Sequence, residues 1–209
     1  MGRGERAAND SSAFTRHRAL QRRDPCPGDG SKLLSMSKLL SLSEAARLPG
    51  RRVFTNGVFD ILHVGHVRTL QAARALGDCL IVGLNSDAST RALKGERQPI
   101  VPQAERAEML AALECVDHVV IFDEVTAERV VETLRPEIYV KGGDYGHGSD
   151  GKVPPEAASV ERYGGRVSFI PYVAGKSTTN IVAEIVRRHA IFIDEDRSDP
   201  AHRRTGQAD

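Results

Sequence analysis

The sequence predicts a single α/β domain: a doubly wound, five-stranded parallel sheet with helices on both faces. Three observations predict it. Short apolar, β-branched runs alternate along the chain with segments of helical period, as a sheet with right-handed crossovers requires. The first run, Arg52 onward, passes through a glycine-bearing loop straight into a helix. The polar, chemically unusual residues fall just after the predicted strands, where open α/β sheets bind ligands.

The elements follow in order. Residues 1–38 are rich in Arg, Asp, Ser, Gly and Pro without periodicity, and are expected to form a mostly disordered extension whose removal leaves the fold intact; Met36 would also serve as a start. Ser41 to Leu48 reads as a short capped helix stopped by Pro49-Gly50. The first strand runs into Asn56-Gly57, and Val64, Val67, Leu70, Ala73 and Leu76 recur at helical spacing beyond it. His66 therefore sits in the first turn of a helix.

Cys79 to Asn85 is a second buried strand, ending in Asn85-Ser86-Asp87, which suits the cap of a short helical turn. A basic loop, Lys94 to Pro99, leads to a helix over Gln103–Leu113. Asp117–Phe122 is the third strand, Thr126–Leu134 a helix, and Ile138–Lys141 the fourth strand, opening into Gly142-Gly143-Asp144-Tyr145. A helix between Pro155 and Tyr163 precedes the fifth strand, Arg166–Pro171. The last helix, about Ser177 to His189, would turn Ile181, Val182, Ile185 and Val186 inward, leaving a loose polar tail. The domain is thus expected over 39–190, with 191–209 as a flexible tail.

Bulk properties exclude several classes. A net charge of +1 over 209 residues offers neither a nucleic-acid patch nor a polyanionic tail. No run approaches the ~18 apolar residues of a membrane span. The Arg-rich start lacks the apolar core of a secretory signal. Cys26, Cys79 and Cys115 have no metal-type spacing, and the latter two read as small buried hydrophobes, so a reduced, cytoplasmic setting is expected.

The first loop carries the chemistry. A strand, a glycine-bearing loop and a helix N-terminus present free N–H groups and the positive end of a helix dipole, which suits phosphate. His63 and His66 add two imidazoles to the same spot, so a nucleotide site is expected there. Asp60 in that loop is expected to fix backbone and not to touch substrate.

These residues resemble a known family. The stretches T-N-G-V-F-D-I-L-H-V-G-H (Thr55–His66), V-G-L-N-S-D (Val82–Asp87), R-A-L-K-G (Arg91–Gly95), V-K-G-G-D-Y (Val140–Tyr145) and G-K-S-T-T-N-I (Gly175–Ile181) are similar to the cytidylyltransferase-like nucleotidyltransferases with an H-x-G-H motif. Within these the wording leans to the stand-alone heptose 1-phosphate adenylyltransferases, which make ADP-heptose from ATP and D-glycero-D-manno-heptose 1-phosphate. The likeness covers roughly residues 41–190, and any one motif alone is weak.

The resemblance implies a Rossmann-like fold and in-line attack of a sugar phosphate on the α-phosphorus of ATP. His63, His66 and Lys94 would act on the phosphates. Thr55, Asn56, Gly57, Val58, Phe59 and Gly65 would line the nucleotide from the first loop. Lys141, Gly142 and Asp144 would meet it after the fourth strand, and Ser177, Thr178 and Thr179 at the last helix. Asn85, Asp87, Arg97 and Lys176 would face the second substrate. Lys94 could equally be a solvated loop lysine, Asp144 a turn residue and Ser177 a helix cap. Mg²⁺ would arrive on the triphosphate with no dedicated protein ligand. A homodimer is implied, with no nucleic-acid or membrane partner. The alternative is a cytidylyltransferase acting on glycerol 3-phosphate or another polyol phosphate. Against it, the arginine those enzymes carry before S-T-T is missing from Tyr172–Thr179.

Overall fold

The computed structural model describes residues 36–142, 154–171 and 175–198. Five strands, β1 (Arg52–Gly57), β2 (Cys79–Asn85), β3 (His118–Phe122), β4 (Ile138–Gly142) and β5 (Arg166–Ile170), form one sheet in the order β3-β2-β1-β4-β5. All pairs are parallel. The order reverses at β1: the chain builds outward through β2 and β3, then crosses back to lay β4 on the other side. The carboxyl ends of β1 and β4 therefore flank the crevice where such sheets take ligands.

Strand alternation sorts the core into two layers. Val53, Leu80, Val82, Leu84, Val119, Ile138 and Val140 face α2 (Val64–Arg74) and α4 (Gln103–Ala112) through Leu70, Ala73, Ala107, Leu110 and Ala111. Phe54, Cys79, Ile81, Val120 and Tyr139 face α1 (Leu42–Ala45), α5 (Glu128–Leu134) and α6 (Ala157–Arg162). Both faces of the central strands are buried, and all seven residues of β2 are.

Three details depart from the sequence reading. The turn after β2 is a full helix, α3 (Asp87–Lys94), because Ser86 caps it by accepting from Ser89 N–H at 3.2 Å. The last helix, α7, runs Thr178–Ser198, past the expected stop at His189 and into the expected tail. No Gly or Pro interrupts the chain between Lys176 and Pro200, so nothing breaks it earlier. Its expected inward face is only partly so: Ile181 and Val182 are half-buried, whereas Ile185 and Val186 are 49% and 62% exposed.

Met36–Lys38, assigned above to the extension, form a 3-10 turn beside the domain. Lys38 Nζ donates to Leu113 O (3.1 Å) and Val116 O (2.7 Å), and Leu40 N–H to Val119 O. A chain starting at Leu39 is expected to be about 1–3 kcal/mol less stable than one starting at Met36, since an ammonium bonded to two carbonyls is lost. Urea denaturation of the two checks this; equal midpoints would contradict it.

Candidate active site

The first loop follows from β1 in a few tight steps. Phe59 takes a left-handed φ of 49°, turning the chain at the strand end. Asp60, 4% exposed, accepts from Ile100 N–H (2.9 Å) and Val101 N–H (2.8 Å). It thus fixes backbone as anticipated, but the backbone is that of the segment entering α4. The loop after β1 and the far end of the basic loop are thereby tied together.

Arg106 completes that tie and was missed in the sequence reading. Its guanidinium is fully buried and donates to Val58 O, Val101 O (2.9 Å), Asn85 O (3.0 Å) and Asp87 Oδ1 (2.7 Å). One side chain so ties the loop after β1, the loop after β2 and the start of α4. The available signal was an arginine on the apolar stripe of Ala107, Leu110 and Ala111.

His63 is the N-cap of α2, its Nδ1 accepting from Gly65 N–H at 3.1 Å. A neutral ring that accepts at Nδ1 carries its proton on Nε2, which is left as a donor. Gly65 is required by this cap: a Cβ there would stand 2.8 Å from His63 Cε1 and 3.3 Å from Lys176 Cβ. His66 stacks on His63 with centroids 3.9 Å apart and planes at 20°, and meets the Phe59 ring edge-on at 5.3 Å.

Burial, then the neighbouring His63 and Lys94, push the His66 ring down to about 4. Burial and Lys176 lower His63 as well. Both imidazoles are therefore neutral donors at pH 7, set among lysines from α3 and from the approach to α7. A folded-state value below the ordinary 6.5 means the folded protein binds fewer protons than the unfolded chain. Stability present above pH 6.5 is then lost as pH falls toward 4. The melting temperature should drop over that range, and less steeply in His66→Gln; parallel curves would contradict this.

A second cluster lies at the ends of β1 and β4, on the α5/α6 face. Asn56 Oδ1 accepts from Tyr139 OH (2.8 Å) and Lys141 Nζ (3.0 Å), and Lys141 Nζ also donates to Tyr139 OH at 2.8 Å. Burial lowers the Lys141 ammonium, and Glu156 raises it in part.

The remaining expected residues divide. His63, His66, Gly65, Phe59, Lys94 and Lys176 come together at the α2 N-terminus. Gly57 follows Asn56 at the end of β1, its ideal Cβ 3.1 Å from the Phe59 ring. Gly142 ends β4 beside Thr69 of α2. Ser177 caps α7, accepting from Asn180 N–H at 3.1 Å, with Thr178 and Thr179 opening the helix. Arg97 is exposed in the basic loop.

Others are spent within the fold. Thr55 (4% exposed) and Val58 (8%) are buried. Asn85, expected to meet substrate, is 3% exposed and donates to Ser89 Oγ at 2.9 Å. Asp87 pairs with Arg106. Asn85 is thus held within the loop, whereas Asp87 ties it through Oδ1 while its side chain stays 27% exposed. Asp144 lies outside the described residues. Among the described residues no three His, Cys, Asp or Glu side chains gather into a metal cage, and no helix is long and apolar enough to cross a membrane.

Known proteins resemble the chain over much of its length. The bifunctional protein HldE of Geobacter metallireducens is 52% identical over 160 residues, 76% of this chain and 32% of that protein. That of Geotalea uraniireducens is 54% identical over 163 residues, again 76% and 32%. The chain spans about a third of the length of these curated relatives. A crystal structure of the lipopolysaccharide core biosynthesis protein from Thermoplasma volcanium is 28% identical with a TM-score of 0.48, covering 60% of this chain and 98% of that one. The cytidylyltransferase-like family matches residues 54–188, from within β1 through about the first half of α7, and the chain belongs to that family.

Proposed function

We propose that the chain is a nucleotidyltransferase that moves AMP from ATP to D-glycero-D-manno-heptose 1-phosphate, releasing pyrophosphate and ADP-heptose. The observation that carries the reading is the stacked His63–His66 pair at the N-terminus of α2, with Lys94 and Lys176 beside it. Neutral imidazole donors and flexible ammonium groups suit a polyphosphate whose charge shifts as one phosphate bond forms and another breaks.

The protein's work in this reading is placement and charge stabilisation. His63 Nε2–H and the His66 ring donate to oxygens of the α- and β-phosphates. Lys94 and Lys176, arriving from two separate elements, balance the departing pyrophosphate and the incoming phosphate. Asp60 and Arg106 hold the loops that carry these groups. A magnesium ion bound to the triphosphate would take its ligands from phosphate oxygens and water, supplying further charge neutralisation. The heptose acceptor and the adenine base rest on the motif wording and on the HldE relatives. We place the enzyme in the cytoplasm as a homodimer; the exposed Ile185 and Val186 of α7 suit a subunit contact, and sedimentation at the mass of one chain would overturn the dimer.

The test is pyrophosphate release across ATP, CTP, GTP and UTP, each with heptose 1-phosphate, glycerol 3-phosphate and other sugar phosphates. ATP with the heptose 1-phosphate should give the highest kcat/KM. Turnover that requires CTP with glycerol 3-phosphate would favour the alternative.

A further inference from the structure

Phe59 carries more structure than a residue lining a nucleotide needs. Its left-handed φ of 49° falls in the loop after β1 and not at a helix end, and a bulky residue takes that conformation only where its surroundings impose it. The turn is fastened on either side. Val58 O accepts from the buried Arg106 guanidinium, and the Asp60 carboxylate accepts from Ile100 and Val101 N–H. From this turn the ring packs on the α2/α4 layer of the core and covers Gly57. A Cβ on Gly57 would meet that ring first, 3.1 Å from Phe59 Cε2 and 3.4 Å from Cζ. On the ring's other side is His66, at 5.3 Å with the planes at 62°.

A histidine ring is ordinarily oriented by the hydrogen bond its second nitrogen makes. In His66 that device is missing: Nδ1 is buried and has no hydrogen-bond partner among the described residues. Aromatic contacts take its place, with His63 stacked at 3.9 Å and Phe59 edge-on. His63 is itself fixed as the cap of α2, which leaves the Phe59 edge to limit how far His66 swings away from it.

We propose that Phe59 is a positioning residue whose ring, seated on Gly57, holds the His66 imidazole against His63. The proposal rests on nucleotidyl transfer, as read above, only for what His66 acts on. Gly57 belongs to the same device, because a side chain there would displace the Phe59 ring. Among the described residues the titratable groups that act on His66 are His63 beside it and Lys94 from α3. The uncharged Phe59 edge acts by excluding water. Without it the charged form of His66 is less disfavoured, so its titration midpoint should rise from about 4 toward the ordinary 6.5.

The experiment titrates His66 by ¹H NMR of its ring Cε1–H in the full chain, assigned through His66→Gln. Phe59→Leu keeps apolar bulk but loses the flat edge. The His66 midpoint should rise by about 0.5–1 pH unit, and kcat should fall on the order of 10-fold with KM for ATP changing far less. In a His66→Ala background the same substitution should cost no further kcat, since Phe59 acts through that ring. Should Phe59→Leu not fold, Phe59→Gly suits the left-handed turn and removes the ring outright, and the same signs are expected. An unchanged midpoint in a folded variant overturns the proposal, as does a kcat loss of the same size in the His66→Ala background. A raised midpoint in a protein that releases no pyrophosphate from any substrate pair would count against the functional reading and leave the Phe59–His66 assignment standing.

Discussion

His66→Ala is expected to lower kcat by a factor on the order of 10² or more while leaving the fold intact, because a single preorganised donor to a developing oxyanion contributes that much. The ring is held by two neighbours, His63 at 3.9 Å and the Phe59 edge at 5.3 Å, so in the proposed reaction it would meet the phosphates without reorganising. Its lowered proton affinity keeps it a neutral donor near pH 7. A neutral ring adds little to ground-state binding of a triphosphate, so KM for ATP should change far less than kcat. His63 keeps its own bond to Gly65 N–H in the variant, so the loss reports on His66. Steady-state kinetics decide the matter; turnover within a few-fold of normal would take this ring out of the mechanism.

Arg106→Met is expected to cost about 3–5 kcal/mol of stability, the range for breaking a buried charge network from one side. The methionine fills much of the volume but leaves Val58 O, Val101 O and Asn85 O without their donor and Asp87 without its partner. For a domain of this size the melting temperature should fall on the order of 10 °C. Lysine cannot replace the arginine, because a single ammonium does not reproduce a planar fork that reaches four acceptors. The loops of the site are the parts freed, so KM should rise even at temperatures where the variant is folded. A loss under about 1 kcal/mol would show that the loops are held by something else.

The sheet was legible because its strands are short, built on apolar β-branched runs and punctuated by Gly, Pro and Asn, so period and breaker agree; β2 falls where the sequence put it, Cys79–Asn85. The end of α7 was not legible, since the polarity of Asp194 onward looks like a tail although nothing there stops a helix. The imidazole pair was legible as well, since the H-x-G-H spacing on a helix start dictates adjacency. What sequence could not supply was which polar groups turn inward. Asn85 reads like a ligand contact by its place after a strand, yet a hydrogen bond to Ser89 four residues on satisfies it. Arg106 and Glu156 read like surface charges, since their partners come from elements distant in sequence. Only the fold brings those partners within reach.

The central claim is that the two stacked imidazoles take hold of the phosphate chain. It is tested most directly by ¹⁵N NMR of the His63 and His66 ring nitrogens, with and without magnesium and an ATP analogue carrying a methylene between its α- and β-phosphorus. The account predicts that both rings shift as the analogue saturates, and that neither does so in the presence of adenosine alone. Saturating binding of the analogue with both rings unmoved would contradict it.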